Sequence, residues 1–190
     1  MESEKTDAQH RATLQKIINR ARSAFMVTRG KQELLHGRPM ANAQVEADFE
    51  TLWFATQKSS GKVSELKNDD HVYLGYTTAT GSEWASVNGR VQFVKDKAKI
   101  KEVWSPTWKA WFSGPDDPEI VLLKVVPTSA EYWDSGLKVI QLAKLAYAAV
   151  TGAHVEPAEH AKVSLKRKSG TMGRTSKGKP SAKPKSAKKG

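Results

Sequence analysis

Residues 52–74 read LWFATQKSSGKVSELKNDDHVYL, and this stretch predicts a strand, a polar loop, a short helix and a second strand. The loop Gln57–Lys62 places free backbone N–H groups, hydroxyls and ammonium groups at a helix N-terminus, where the helix dipole also favours an anion. Two interpretations stay open: the loop holds the phosphate of a nucleotide-like cofactor, or Ser59 or Ser60 merely caps a surface helix. A Walker loop is disfavoured, because that motif needs a glycine where Thr56 stands.

The residues before this stretch predict one helix and two extended segments. Residues 6–9 read TDAQ, which has the spacing of a capping box and starts a helix predicted from Thr6 to Ala21. A short strand is predicted over Phe25–Thr28. Pro39 excludes a helix in the next segment and keeps Arg38 extended. A guanidinium group suits a phosphate because it can donate two parallel hydrogen bonds, although a surface ion pair would also explain Arg38.

The residues after it predict further antiparallel strands. In Trp84–Val94 the alternation places Ala85, Val87, Val91 and Phe93 on one face, and Gly89 in mid-strand indicates a bulge or a close backbone approach. The other predicted strands are His71–Tyr76, Ile120–Val126 and Ala130–Asp134, the last of these ending the sheet. Short strands at regular spacing indicate an antiparallel barrel.

Two helices and a run of tryptophans accompany these strands. The helices are predicted over Asp96–Val103 and over the very apolar segment Leu137–Val150, which should pack against the barrel or a second subunit. Trp104, Trp108 and Trp111 recur at helical spacing. Such a row is more typical of a core or a dimer interface than of cofactor contacts.

The positive charge of the chain is confined to its end. Residues 161–190 contain eleven lysines and arginines and no acidic residue, which equals the net charge of +11 of all 190 residues. Residues 1–160 are therefore neutral overall, and the sequence predicts a folded domain over residues 8–155 and a basic, disordered tail over residues 156–190. The tail is either a solubilising extension or a weak, sequence-independent contact to nucleic acid.

Several kinds of chemistry find no support in the sequence. The absence of cysteine excludes disulfides and thiolate metal sites, and the five histidines lack metal-ligand spacing, so no metal site is predicted. No nucleophile elbow or dinucleotide-binding glycine motif occurs. No signal peptide or membrane-spanning run is recognisable, which predicts a cytoplasmic location and no membrane partner. Redox chemistry would need a cofactor.

Four segments together resemble the FMN-binding split-barrel group related to pyridoxamine 5′-phosphate oxidase, and within it the bacterial general stress protein branch. They are Arg38–Met40, Leu52–Leu66, Trp84–Arg90 and Pro127–Asp134, with the motifs WFAT, SSGK, WFSGPDDP and AEYWD. The resemblance covers roughly residues 8–152. It implies a mainly-β fold with flanking helices: a six-stranded antiparallel split barrel that forms a homodimer with two FMN sites at its interface.

The resemblance also implies roles for individual residues. Arg38, Ser60 and Lys62 match the residues that hold the FMN phosphate, with Ser59 adjacent, and Gly61 replaces an arginine of the family's loop. Trp111 and Trp133 match segments that reach the partner subunit's flavin. The residues matched to the surroundings of the flavin ring are Pro39, Met40, Ala41, Ala55, Thr56 and Trp84.

The family's oxidases carry an Arg-x-His cluster after the equivalent of Trp133, which binds substrate. Residues 135–139 read SGLKV here, so we expect no pyridoxamine phosphate oxidation. Three hypotheses follow: a cytoplasmic, homodimeric FMN-dependent oxidoreductase of unknown substrate, a non-catalytic flavin-binding stress or redox-sensing protein, and a protein that binds nucleic acid through its tail.

Overall fold

The computed structural model describes residues 5–135, 147–152, 159–163 and 165. The helices are α1 (Asp7–Ala21), α2 (Gly61–Asn68) and α3 (Lys97–Val103), and residues 147–151 are also helical. The strands are β1 (Ser23–Arg29), β2 (Leu35–Ala41), β3 (Gln44–Val45), β4 (Leu52–Gln57), β5 (His71–Thr77), β6 (Glu83–Val94), β7 (Ile120–Asp134) and β8 (Glu159–Val163). Short 3₁₀ turns occupy Lys31–Glu33, Ala47–Phe49 and Pro106–Ala110.

The strands form a single antiparallel sheet that curls into a half-barrel. Their order is β2-β1-β5-β6-β7-β4-β3, and β8 also pairs with β7. β7 is the centre of this arrangement, because it pairs with β6 along its length, with β4 in its first half and with β8 in its second half. The predicted antiparallel, mainly-β architecture is thus confirmed. The strand count of six is wrong, since the described residues alone form a sheet of eight strands.

The main hydrophobic core lies between the inner face of the sheet and α1. Leu14, Ile17 and Ile18 of α1 are buried against inward residues such as Leu74 and Val87. Thr6 caps α1 with both hydrogen bonds of a capping box, as its spacing predicts. Burial along β6 follows the predicted alternation, and therefore fixes which face of the sheet each neighbouring side chain occupies.

A second, smaller core covers the other face of β4 and the first half of β7. Trp53, Ile120 and Leu122 pack there against α3 and the following 3₁₀ turn. Trp108 is buried in this cluster and Trp104 packs at its edge, in agreement with a core role. Trp111, by contrast, is 66% exposed.

Gly89 marks an irregularity in the long β6–β7 ladder. The register shifts between Asn88 and Gly89, opposite Pro127. A Cβ at position 89 would lie 2.7 Å from Val125 Cγ1 and 3.0 Å from the carbonyl oxygen of Val126. Both parts of the prediction are confirmed, since Gly89 lies at a bulge and at a close backbone approach.

β8 corrects the predicted end of the domain. Ala130–Asp134 is the second half of β7 rather than the last strand, and Glu159–Val163, placed in the tail by its composition, extends the sheet. Val163 joins the main core, and Glu159 accepts hydrogen bonds from Lys5 Nζ at 2.7 Å and from the Tyr132 hydroxyl at 2.8 Å.

Two other predictions fall mainly outside the described residues. These are the start of the apolar helix Leu137–Val150 and the tail beyond residue 165. Within the described ranges, no helix has both the length and the apolar character needed to cross a bilayer.

Candidate functional site

The loop after β4 brings two hydroxyls and an ammonium group together. Lys62 Nζ donates a hydrogen bond of 3.0 Å to Thr56 Oγ1, and Thr56 Oγ1 lies 3.2 Å from Ser60 Oγ. Ser60 stands at the N-cap position of α2, but its side chain makes no capping hydrogen bond. Ser59 is exposed. A purely capping role therefore does not account for the hydroxyl of Ser60.

Arg38 reaches the same side of α2 from β2. It pairs with Met26 in β1, so it lies on the inner face of the sheet. Its guanidinium donates to Thr28 Oγ1 and, at 2.8 Å, to Glu65 Oε2. Glu65 belongs to α2, and it also meets the His36 imidazole at 2.6 Å. The helix that begins at the loop thus holds the predicted phosphate-binding arginine in place.

The charges of Arg38 and Lys62 act on each other. Burial lowers the pKa of Lys62, the positive charge of Arg38 lowers it further, and Glu65 opposes both. Two partly buried cations, Arg38 and Lys62, thus lie near one carboxylate, that of Glu65 in the middle of α2. This leaves an excess positive charge that a bound anion would neutralise.

Glu65 is the counter-charge of this cluster, and its pKa is lowered from 4.5 to about 2. Burial alone would raise this pKa, but hydrogen bonds from His36, Thr28 and Arg38 outweigh that effect. The carboxylate therefore stays ionised and keeps the guanidinium oriented throughout the neutral and mildly acidic range.

The low pKa of Glu65 gives a stability prediction. Because this pKa is lower in the folded chain than in the unfolded chain, the ionised group stabilises the fold above about pH 4.5, and this contribution is lost as the pH falls toward 2. Near neutral pH, we expect Glu65→Gln to lower the free energy of unfolding by about 1–3 kcal/mol. Urea titrations at decreasing pH should show the difference from wild type shrinking. A difference that stays constant down to acid pH would contradict the assignment.

A second group of predicted residues lies on the opposite, outer face of the sheet. A groove of about 570 Å³ is open there. Its lining includes Phe25, Pro39, Tyr73, Trp84 and Trp133. Phe25 is 55% and Trp84 is 51% exposed. This outer face is therefore aromatic. Its residue Pro39 adjoins Arg38 in the sequence, but the two residues lie on opposite faces of β2.

The phenyl ring of Phe25 lies over Gly37, where a Cβ would come within 2.3 Å of the ring. A side chain at position 37 would have to displace the ring of Phe25, which forms part of one wall of the groove. Trp84 and Trp133 are direct cross-strand partners on β6 and β7.

The remaining predicted residues lie apart from both groups. Met40 packs at the edge of the main core, and Ala41 is exposed at the end of β2. Ala55 faces the second core, on the opposite side of β4 from Thr56. The backbone oxygen of Trp111 accepts a hydrogen bond of 3.2 Å from Gln57, which places Trp111 beside the loop and its ring in solvent.

Thr28, His36 and Glu65 were not anticipated from the sequence. Thr28 is buried although polar, and Glu65 lies three residues after Lys62, on the next turn of α2. The polar Thr28 within a strand and the spacing of Glu65 from Lys62 are visible in the sequence. Neither feature indicates that Glu65 pairs with Arg38.

One group of side chains has the composition of a cation site. Ligand atoms of Asp69, Asp70 and His71 lie within 4.8 Å of one another. Contacts within the protein already account for these side chains, since His71 lies 2.6 Å from Asp69, and Arg90 lies 2.8 Å from Asp70.

Known proteins resemble this chain in sequence and in fold. Residues 9–156 match the sequence model of the pyridoxamine 5′-phosphate oxidase like family. Protein bli-3 of Neurospora crassa is 32% identical over 140 residues, which is 68% of this chain and 67% of that protein. General stress protein 26 of Bacillus subtilis is 30% identical over 92 residues, which is 46% of this chain and 65% of that protein.

A solved structure agrees with these matches. The general stress FMN/FAD binding protein of Xanthomonas citri aligns with a TM-score of 0.60 at 24% identity, covering 68% of this chain and 92% of its own. The fold, the curled antiparallel sheet and the family match together identify this chain as a member of the pyridoxamine 5′-phosphate oxidase-like family, with relatives among the general stress proteins.

Proposed function

We propose that this protein binds FMN non-covalently and holds its phosphate with Arg38 and Lys62. The observation that carries the proposal is the convergence of these two cations on one side of α2, where the charge of Arg38 lowers the pKa of Lys62 and a bound anion would favour the charged form of Lys62. The hydroxyls of Thr56 and Ser60 add hydrogen-bonding groups at the same place.

The residues suit a phosphate group in charge and in hydrogen-bonding capacity. Arg38 offers a planar fork, and Lys62 offers a compact ammonium group that can swing from the Thr56 hydroxyl to an anion. With its phosphate held there, FMN would supply hydride or single-electron transfer, which the side chains of this site do not provide. The protein's part is to bind, orient and shield the cofactor.

We further propose that the functional unit is a homodimer. In one chain, the Arg38–Lys62 cluster lies on the inner face of the sheet and the groove with Trp84 and Trp133 lies on the outer face. A second copy would allow the aromatic face of one subunit to approach the cofactor held by its partner. The exposed aromatic side chains of the groove support this, because large apolar groups are rarely left in water without a partner.

Absorption spectroscopy of the purified protein tests the cofactor, followed by titration of cofactor-free protein with FMN. Riboflavin, which lacks the phosphate, is the matched ligand control. We expect saturable FMN binding, and riboflavin binding weaker by a factor of about 100 or more, since two charge-assisted contacts are missing. Colourless protein that ignores FMN would reject the proposal, and equal affinity for both flavins would reject the phosphate site.

Two uses of such a site remain as hypotheses. The protein is either an oxidoreductase of unknown substrate or a non-catalytic flavin-binding stress or redox-sensing protein, and turnover of a substrate by the FMN-loaded protein separates them. Pyridoxamine phosphate oxidation is not expected.

A cytoplasmic location and a nucleic-acid contact of the tail also stay predictions. Removal of residues 166–190 should abolish any nucleic-acid contact at low salt.

A further inference from the structure

The C-terminal strand β8 continues the aromatic outer face. Trp84 in β6 pairs with Trp133 in β7, and Trp133 pairs with His160 in β8. Directly paired residues of antiparallel strands project to the same side of a sheet. The two indoles and the imidazole therefore form one row across three neighbouring strands, at the end of the groove.

His160 is in contact with Trp133 rather than merely near it. The two rings are stacked, with centroids 5.0 Å apart and planes 6° from parallel. His160 Nε2 also lies 3.2 Å from Glu131 Oε2, and Glu131 occupies the same face of β7, two residues before Trp133. The imidazole is thus held by the carboxylate at its edge and presents its flat face to the indole.

Trp133 itself lines the groove, so the plane of its ring determines the shape of one wall. Rotation about its side-chain bonds would change that wall. The stacked imidazole opposes such rotation, because aromatic pairs prefer a defined mutual geometry.

We infer that His160 is a positioning residue for the ligand groove, which acts by fixing the ring plane of Trp133. This inference rests on the proposed function, in which the groove contributes to a flavin site. It assigns to β8 a part in binding, in addition to its part in the sheet.

Three full-length variants test this role. His160→Ala removes the stacked ring, and His160→Phe restores an aromatic ring without the contact to Glu131. Lys162→Ala is the matched control, because Lys162 lies on the same face of β8 and 3.8 Å from Glu131 but is not part of the row. Each variant is titrated with FMN, and near-ultraviolet circular dichroism of the cofactor-free protein reports on the tryptophans, with Trp133→Phe identifying the band of that residue.

We expect His160→Ala to weaken FMN binding about fivefold and to diminish the Trp133 band, since a stacked pair is lost. His160→Phe should recover both signals, and Lys162→Ala should change neither. Unchanged FMN affinity and an unchanged Trp133 band in His160→Ala would overturn the inference, as would a failure of His160→Phe to restore them.

The two proposals fail in different ways. Wild-type protein that does not bind FMN rejects the proposed function. In that case the Trp133 band still decides whether His160 fixes the ring, because it is measured without a cofactor.

Discussion

Truncation after residue 155, at the predicted domain boundary, is expected to lower the free energy of unfolding severely. The shortened chain loses the burial of Val163, the Glu159 acceptor of the Tyr132 hydroxyl, and the backbone pairing of β8 with β7. Burial of one valine contributes about 1.5–3 kcal/mol, and a hydrogen bond to a charged carboxylate contributes about 1.5–3 kcal/mol, although the Tyr132 hydroxyl keeps His10 as a second partner. A total loss of about 4 kcal/mol is a large part of the stability of an ordinary domain.

A chain that ends at residue 165 is the matched control. It keeps β8 and removes most of the basic segment, so its urea unfolding midpoint should stay close to that of the full chain. The shorter chain should also self-associate, because the second half of β7 becomes an unprotected edge, and light scattering detects this. Equal midpoints for the two truncations would show that β8 contributes nothing to the fold.

Loss of either Arg38 or Lys62 is expected to weaken FMN binding about 10- to 100-fold, because a hydrogen bond to a charged group contributes about 1.5–3 kcal/mol. Lys62→Ala is the cleaner variant. In Arg38→Ala, Glu65 loses its guanidinium partner, so the stability of that variant must be measured beside its affinity. The two losses should not add fully in the double variant, since both groups are assigned to one phosphate.

The sequence offers a control for this prediction in the same loop. Lys58 directs its ammonium group to the backbone oxygen of Pro118, away from Lys62 and Thr56. Lys58→Ala should therefore leave FMN affinity nearly unchanged. Riboflavin affinity should be the same in wild type, Arg38→Ala and Lys62→Ala. A drop in riboflavin affinity equal to that for FMN would mean that these variants act through the fold and not through the phosphate.

Local patterns predicted most of the sheet. The capping box of α1 and the alternation of β6 are read from neighbouring residues, and in both places tertiary packing agrees with local preference. The sequence predicts two strands, Ile120–Val126 and Ala130–Asp134, where the structure has the single strand β7. In the structure Pro127 faces the bulge at Gly89, where the ladder is already irregular and a missing N–H is tolerated.

β8 was missed for a different reason. Its five residues, EHAKV, offer only Ala161 and Val163 as apolar positions, which is too short an alternation to stand out beside a lysine-rich segment. Its stability comes from contacts to Tyr132 and Trp133, which lie far away in the sequence. The residue pattern of β8 alone therefore does not indicate that Tyr132 and Trp133 are its partners.

The candidate site was predicted in the same uneven way. Charge and position made Arg38 and Lys62 candidates, the family resemblance assigned them to a phosphate, and the structure brings them within electrostatic reach of each other. Which face of the sheet each residue occupies depends on register, so the separation of Arg38 from Pro39 and Trp84 became visible only in three dimensions. The choice of Glu65 as the partner of Arg38 likewise depends on how α2 packs on β1 and β2.

The contact between Lys5 and Glu159 makes the folded chain almost a closed loop. Lys5 and Glu159, which are 154 positions apart in sequence, meet at 2.7 Å, and Glu159 is the first residue of β8, so a linker that runs back along β8 could join its far end to Lys5 without moving any strand. The chain could then be opened at the exposed turn of Thr80 and Gly81, giving a circular permutant with every pairing of the sheet retained.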